Sequence, residues 1–169
     1  MIMAIRALCI SLLMSGCAQI NNTSPTHEDI QALIEKSESQ YVEELSQEIT
    51  IFENVAFGLG LPLRRYLNEE QNVKGKMILD LGTGSGVLSL IALKNGARRS
   101  VATEINQYAI ANATYNAELL GFKDKMDVRL VPMDKQGAYS AIVKDERFDL
   151  IVSNPPQHHE PPTNIYEYS

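Results

Sequence analysis

Cysteine is scarce in this chain. Its 169 residues include two, Cys9 and Cys17, too few for a disulfide framework and without the C-x-x-C spacing of a metal or redox site. Excess positive charge is also missing. Fifteen Lys and Arg stand against 21 Asp and Glu, a formal net charge of −6, and the pI is about 5.1. Whole-chain steering therefore works against nucleic acid and anionic lipid. No apolar run approaches the ~20 residues that span a bilayer, and a mean hydropathy of −0.15 excludes a multispanning membrane protein. Internal repeats and low-complexity tracts are absent. What remains is 44% hydrophobic and 21% charged, which is the composition of one globular domain.

The first residues form a unit of their own. Met1 to Arg6 carries one positive charge, Ala7 to Met14 is a short apolar stretch, and Ser15-Gly16-Cys17 follows. A basic start, an apolar stretch and small residues describe an export signal. The ending Leu13-Met14-Ser15-Gly16-Cys17 resembles the bacterial lipobox, with Met14 where that pattern prefers Leu. The resemblance implies that residues 1–16 are removed and that Cys17 is acylated, giving a membrane-anchored lipoprotein. More than one acyl chain is needed for a stable anchor, at about 0.8 kcal/mol per buried CH₂. The polar, Pro-containing residues 17–26 would be its tether. The alternative is a start site placed upstream of the true one, which makes the protein cytoplasmic.

The rest reads as α/β. Residues 27–76 form an N-terminal helical and strand extension. Within it, His27 to Glu48 carries Ile30, Leu33, Ile34, Tyr41, Val42 and Leu45 at mostly helical intervals, with an acidic opposite face, and predicts one amphipathic helix capped by Thr26 and Asp29. Ile49 to Phe52 predicts a strand, and Leu63 to Asn68 a short helix after the breakers Gly58, Gly60 and Pro62. From residue 77 to 169 strands and helices alternate. Strands are expected at Met77–Leu81, Ser100–Thr103, Met126–Val131 and Phe148–Ser153. Helices are expected at Val87–Lys94, Asn106–Leu120 and, more weakly, Gln136–Lys144. Strands separated by helix-length segments imply right-handed crossovers and a parallel sheet.

Three motifs fall at strand ends. Asp80-Leu81-Gly82-Thr83-Gly84-Ser85-Gly86 follows the first of these four strands and opens a helix. Its glycines permit a tight turn and close approach of a ligand to the backbone. The third glycine of a G-x-G-x-x-G loop is replaced by Val87, and no Lys-Ser/Thr follows, so dinucleotide and P-loop readings are disfavoured. Glu104 closes the second strand, about 20 residues past the first glycine, the spacing of a ribose-binding acid. Ile105 adjoins it, and Asp134 follows the third strand. Asn154-Pro155-Pro156-Gln157 closes the fourth, where two prolines fix φ and remove N–H donors. His158-His159-Glu160 lacks the helical spacing of a metal site, so no metal is expected.

These motifs, in this order, resemble the class I S-adenosylmethionine-dependent methyltransferases. The last resembles the N-P-P-aromatic corner of the amino-group methyltransferases, with Gln157 in place of the aromatic ring. The resemblance implies a Rossmann-like sheet whose four strands run in the order 3-2-1-4. Its cofactor would be S-adenosylmethionine, held by Asp80, Gly82, Thr83, Gly84, Gly86, Glu104, Ile105 and Asp134. Asn154, Pro155 and Pro156 would be catalytic. Asn154 and Gln157 would bind the substrate's amide or amino nitrogen, whether on protein, RNA or a small molecule. The family sheet has seven strands, so the C-terminal strands are expected to be missing. Turnover of this chain alone would then be weak or absent. The fourth strand would then lie at a sheet edge: either the chain is a truncated relative, or that edge is covered by a partner or by Ile49–Phe57. An exported lipoprotein meets little S-adenosylmethionine, which leaves a different class open: a lipid-anchored, non-catalytic interaction module using the acidic helix and the sheet edge.

Overall fold

The computed structural model describes residues 25–58, 60–132, 134 and 137–155. The signal and lipobox through Cys17, most of the tether, and Pro156, Gln157 and the histidine pair lie outside the described residues.

A capping box starts the first helix. Thr26 Oγ1 accepts the Asp29 N–H at 3.2 Å, while Asp29 Oδ2 accepts the Thr26 N–H at 2.9 Å, and α1 runs His27–Glu35. The expected continuation to Glu48 does not form. Residues 35–40 read Glu-Lys-Ser-Glu-Ser-Gln, so a longer helix would have no apolar stripe to bury through that turn and a half. The chain instead makes an antiparallel hairpin of β1 (Glu38–Val42) and β2 (Gln47–Ile51), with Glu38 opposite Ile51 and Val42 opposite Gln47. A 3-10 turn at Glu43–Leu45 and Ser46 at φ 52° join them. Tyr41, which the helical reading buries, is 57% exposed, whereas Val42, Leu45 and Ile49 are in the core.

Two helices, α2 (Leu61–Asn68) and α3 (Glu70–Val73), lead into the alternating region. There β3 (Met77–Leu81), α4 (Val87–Lys94), β4 (Arg99–Glu104), α5 (Gln107–Leu119), β5 (Met126–Leu130) and β6 (Leu150–Ser153) agree with the sequence reading to within a residue or two. The sheet is parallel in the order β5-β4-β3-β6, which is the expected 3-2-1-4. One buried cluster joins Val42, Leu45, Ile49 and Leu67 of the extension to Ile78, Leu90, Ile91, Ala102 and Ala113. A second buried cluster holds Phe52, Val55 and Ala109 of α5, with the Phe52 and Tyr115 rings 5.7 Å apart.

One expectation and one alternative fall away around β6. The helix at 136–144 is reduced to a 3-10 turn at Ala138–Ala141. The β5 side chain of Arg129 explains this, because it captures the Ala141 carbonyl at 3.2 Å and the Glu146 carboxylate at 2.7 and 2.8 Å. Those bonds draw the connection onto the sheet instead of leaving it to coil. The Ile49–Phe57 segment does not cover the β6 edge either. It docks on α5, and among the described residues nothing pairs with the outer side of β6, where Ile151 is 51% exposed.

Candidate active site

Topology selects the site before any side chain does. From β3 the chain moves to β4 and then β5 in one direction, and β6 returns to the other flank of β3. The order therefore reverses between β3 and β6. In open α/β sheets the crevice outside the strands' carboxyl ends at such a reversal is where ligands bind. Register fixes what stands there. Leu81 is opposite both Thr103 and Ser153, so the next residues, Gly82, Glu104 and Asn154, leave their strands at one level. Ser153 Oγ donates to the Leu81 carbonyl at 3.0 Å and ties two of these tips together.

The glycine loop is bonded on every side. Gly82 and Thr83 donate backbone N–H groups to the Thr103 carbonyl at 2.9 and 3.1 Å. Asp80, fully buried, accepts from Thr83 Oγ1 at 2.7 Å and Ser89 Oγ at 2.8 Å through Oδ2. Burial pushes the Asp80 carboxyl above its ordinary value, and these two hydroxyls offset part of that. The three glycines differ in purpose. A Cβ on Gly84 would lie 2.7 Å from the Ala56 carbonyl oxygen, and one on Gly86 would lie 3.2 Å from Ala113 Cβ and Met126 Cε. Gly82, at φ 70°, faces open space. Close internal packing demands the second and third glycines, and only the first borders the crevice.

Glu104 is 2% exposed. Its Oε1 accepts the Ile105 and Asn106 N–H groups at 2.7 and 3.0 Å, and Oε2 accepts the Gly84 N–H at 3.0 Å. A carboxylate offers about four lone-pair sites, so three bonds leave room for one more donor rather than for a pair of hydroxyls. Ile105 is half-buried beside it, and Asp134 is exposed. Asn154 is half-buried and Pro155 exposed. Pro156 and Gln157, the rest of that corner, and the lipidation residue Cys17 fall outside the described residues. A groove of about 250 Å³ beside α5, lined by Ile30, Ile110, Tyr115 and Leu130 among others, includes none of these residues. No metal-holding group of His, Cys, Asp and Glu occurs among the described residues.

Ala56, Gly58 and Gly60 contribute to the site without any motif that marks them in the sequence. The Ala56 carbonyl accepts the Ser85 N–H at 3.2 Å. A Cβ on Gly60 would sit 2.8 Å from Asn154 Oδ1, and one on Gly58 would sit 3.8 Å from Asn154 Nδ2. One short segment thus touches both the glycine loop and the Asn154 amide. The sequence carries a signal in two glycines one residue apart, which local rules class as helix breakers and which the fold uses for close approach.

Residues 55–155 match the model of the ribosomal protein L11 methyltransferase (PrmA) family. The chain belongs to that family. The ribosomal protein L11 methyltransferase of Aquifex aeolicus is 35% identical over 109 residues, 59% of this chain and 38% of that protein. The Salmonella arizonae enzyme of the same name is 35% identical over 83 residues, 49% of this chain and 26% of that protein. The chain therefore spans about a quarter to two-fifths of these curated relatives. A T. thermophilus 16S rRNA N2 G1207 methyltransferase, solved with AdoMet and guanosine, superposes with a TM-score of 0.54 at 26% identity, over 74% of this chain and 34% of that one. The fold is accordingly the Rossmann-like class I methyltransferase fold.

S-adenosylmethionine, the cofactor this family implies, fits the residues present. Gly82 leaves the crevice open at the tip of β3. Asp80 Oδ1, Ser85 Oγ and Thr103 Oγ1 are buried around the loop without a hydrogen-bond partner in the structure, a concentration of unmet polar atoms suited to a polar ligand or water. Glu104 retains one acceptor site at the neighbouring tip.

Proposed function

We propose that this chain carries the cofactor-binding half of an S-adenosylmethionine-dependent N-methyltransferase whose acceptor is an amino group of a ribosomal protein. The observation that supports it best is the register placing Gly82, Glu104 and Asn154 at one level beside the strand reversal. The family and its relatives' names favour a protein acceptor, and the net charge of −6 argues against RNA.

When bound, S-adenosylmethionine supplies a methyl group on a sulfonium, an intrinsically good leaving group. The protein's part is placement. Gly82 and the loop backbone hold the cofactor's amino-acid end, and Glu104 accepts a hydroxyl of its ribose. Ile105 covers one face of the adenine, and Asp134, which follows β5, meets its amino group, as the resemblance implies. Asn154 Oδ1 and the Pro155 carbonyl would accept the two hydrogens of the incoming neutral amine, its third proton having passed to solvent, so that its lone pair faces the methyl group. Asp80 holds the loop's shape from inside.

Calorimetric titration of the chain with S-adenosylmethionine tests the cofactor half. Saturable heat is expected, with roughly tenfold or more weaker binding in Glu104→Ala, which loses a charge-assisted acceptor. No heat from the unsubstituted chain overturns the reading. Transfer of a radiolabelled methyl group to ribosomal subunits locates the acceptor. Label in the protein fraction supports the proposal, and label in the RNA alone overturns the choice of acceptor.

A further inference from the structure

The glycine loop has one more support, which comes from the buried stripe of α5. That stripe reads Ala109, Asn112, Ala113, Asn116, Ala117. Two asparagines one turn apart, both 0% exposed, stand where small apolar residues are otherwise the rule. Each is committed to backbone of β2 or of Phe52, the residue that follows it. Asn112 Oδ1 accepts the Phe52 N–H at 3.1 Å, and its Nδ2 donates to the Thr50 carbonyl at 2.8 Å. Asn116 Oδ1 accepts the Thr50 N–H at 2.9 Å, and its Nδ2 donates to the same Thr50 carbonyl at 2.8 Å. The pair of amides takes the place of a neighbouring strand along the edge of β2 that β1 leaves free, satisfying groups that burial would otherwise penalise.

The two then part. Asn116 Nδ2 also donates to the Ser85 carbonyl at 3.0 Å, whereas the hydrogen bonds of Asn112 end at β2. Ser85 is the middle residue between Gly84 and Gly86, and its N–H is taken by Ala56, five residues past the end of β2. Both backbone groups of Ser85 therefore depend on the extension, one directly and one through Asn116. Gly84, whose N–H reaches Glu104, and Gly86, the N-cap of α4, flank this clamped residue.

We propose that Asn116 is a positioning residue for the cofactor site, setting the glycine loop through its own bond to the Ser85 carbonyl while its remaining bonds fix it to Thr50 of β2. The inference rests on the S-adenosylmethionine reading of that loop. It gives the N-terminal hairpin a part in binding although no residue of the hairpin reaches the crevice.

Asn112 supplies the internal control, because it makes the same kind of bonds to the same strand and none to the loop. Asn112→Ala and Asn116→Ala are compared by thermal melting, by S-adenosylmethionine titration, and by amide hydrogen exchange across residues 84–86. Similar losses of melting temperature are expected. Asn116→Ala should weaken cofactor binding and lower loop protection roughly tenfold, as the loss of one buried hydrogen bond implies, while Asn112→Ala leaves both within about threefold of the unsubstituted chain. Equal effects at the two positions overturn the proposal, as does unchanged loop protection in Asn116→Ala. Should Asn116→Ala not fold, the unsubstituted protein still decides. Its Asn116 side-chain amide resonance should shift on titration with S-adenosylmethionine while that of Asn112 stays in place, and the reverse pattern sinks the idea. If the unsubstituted chain binds no S-adenosylmethionine, the functional reading fails, while the exchange comparison still reports whether Asn116 sets the loop.

Discussion

The two tips that flank the strand reversal are built in opposite ways. After β3, the glycine loop is held by hydrogen bonds from four directions: the Thr103 carbonyl, the Glu104 carboxylate, the Ala56 carbonyl and the Asn116 amide. After β6, the Asn154 corner stands at a sheet edge that no strand among the described residues pairs, tied back by Ser153 Oγ and shaped by the close approach of Gly58 and Gly60. One tip is over-determined and the other is set by contact. Under the proposed function the difference is a division of labour: the side assigned to the cofactor is fixed in advance, and the side assigned to the acceptor takes its form from what lies against it.

The largest effect should come from breaking the over-determined tip at its tightest point. Gly84→Ala forces a Cβ to within 2.7 Å of the Ala56 carbonyl oxygen at φ 56°, so backbone must move and the Ser85-to-Ala56 bond goes with it. Stability should fall by about 3 kcal/mol and S-adenosylmethionine binding should drop below detection in the same titration. Gly82→Ala is the matched control. Its φ is 70° but the new Cβ meets nothing within 4 Å, so the left-handed backbone alone costs about 1 kcal/mol. Equal melting temperatures for the two variants would show that packing, not conformation, is misassigned here.

A different signature is expected at the contact-shaped tip. Gly60→Ala puts a Cβ 2.8 Å from Asn154 Oδ1; the amide can rotate away, so the fold tolerates the change while the acceptor oxygen is displaced. Methyl transfer to ribosomal protein should fall about a hundredfold, as a misplacement on the order of 1 Å implies. Cofactor affinity, measured by calorimetry, should stay within about threefold. A joint loss of affinity and rate would mean that residues 55–60 act on the glycine loop alone.

The same contrast explains what the sequence made readable. The over-determined half announces itself, because local rules converge there: the buried run Met77–Leu81, the glycine spacing and the acid at Glu104 all follow from strand–loop–helix geometry. The Asn116 bonds and the Gly60 approach join residues far apart in the chain, and a single sequence carries no pairing information across such gaps. The helix expected through Glu48 failed for a related reason. Tyr41, Val42 and Leu45 fit a helical period, but the polar run before them has no face to bury, and β2 found its partners on α5. Asn112 and Asn116 on an alanine stripe were the overlooked clue, since buried amides in such a place need backbone to bond.

The smallest predicted effect concerns the connection that carries the chain from β5 to the weaker tip. Arg129 binds Glu146 through two nitrogens and Asp127 at 2.7 Å, and its hydrogen bonds hold the Glu146 carboxyl down to about 2, from an ordinary value near 4.5. The sign follows. A carboxyl depressed on folding contributes its full stability above its unfolded pKa, and the contribution fades as pH falls from about 4.5 toward 2. The pair is partly solvated, so Glu146→Gln should lower stability at pH 7 by only about 1 kcal/mol. Its thermal stability should also decline less steeply than that of the unsubstituted protein across that acid window. Cofactor affinity at pH 7 should be unchanged, because the glycine loop draws none of its bonds from this connection. An unaltered acid slope would mean that Arg129 supports the turn through the Ala141 carbonyl and Asp127, leaving the Glu146 charge without a structural role.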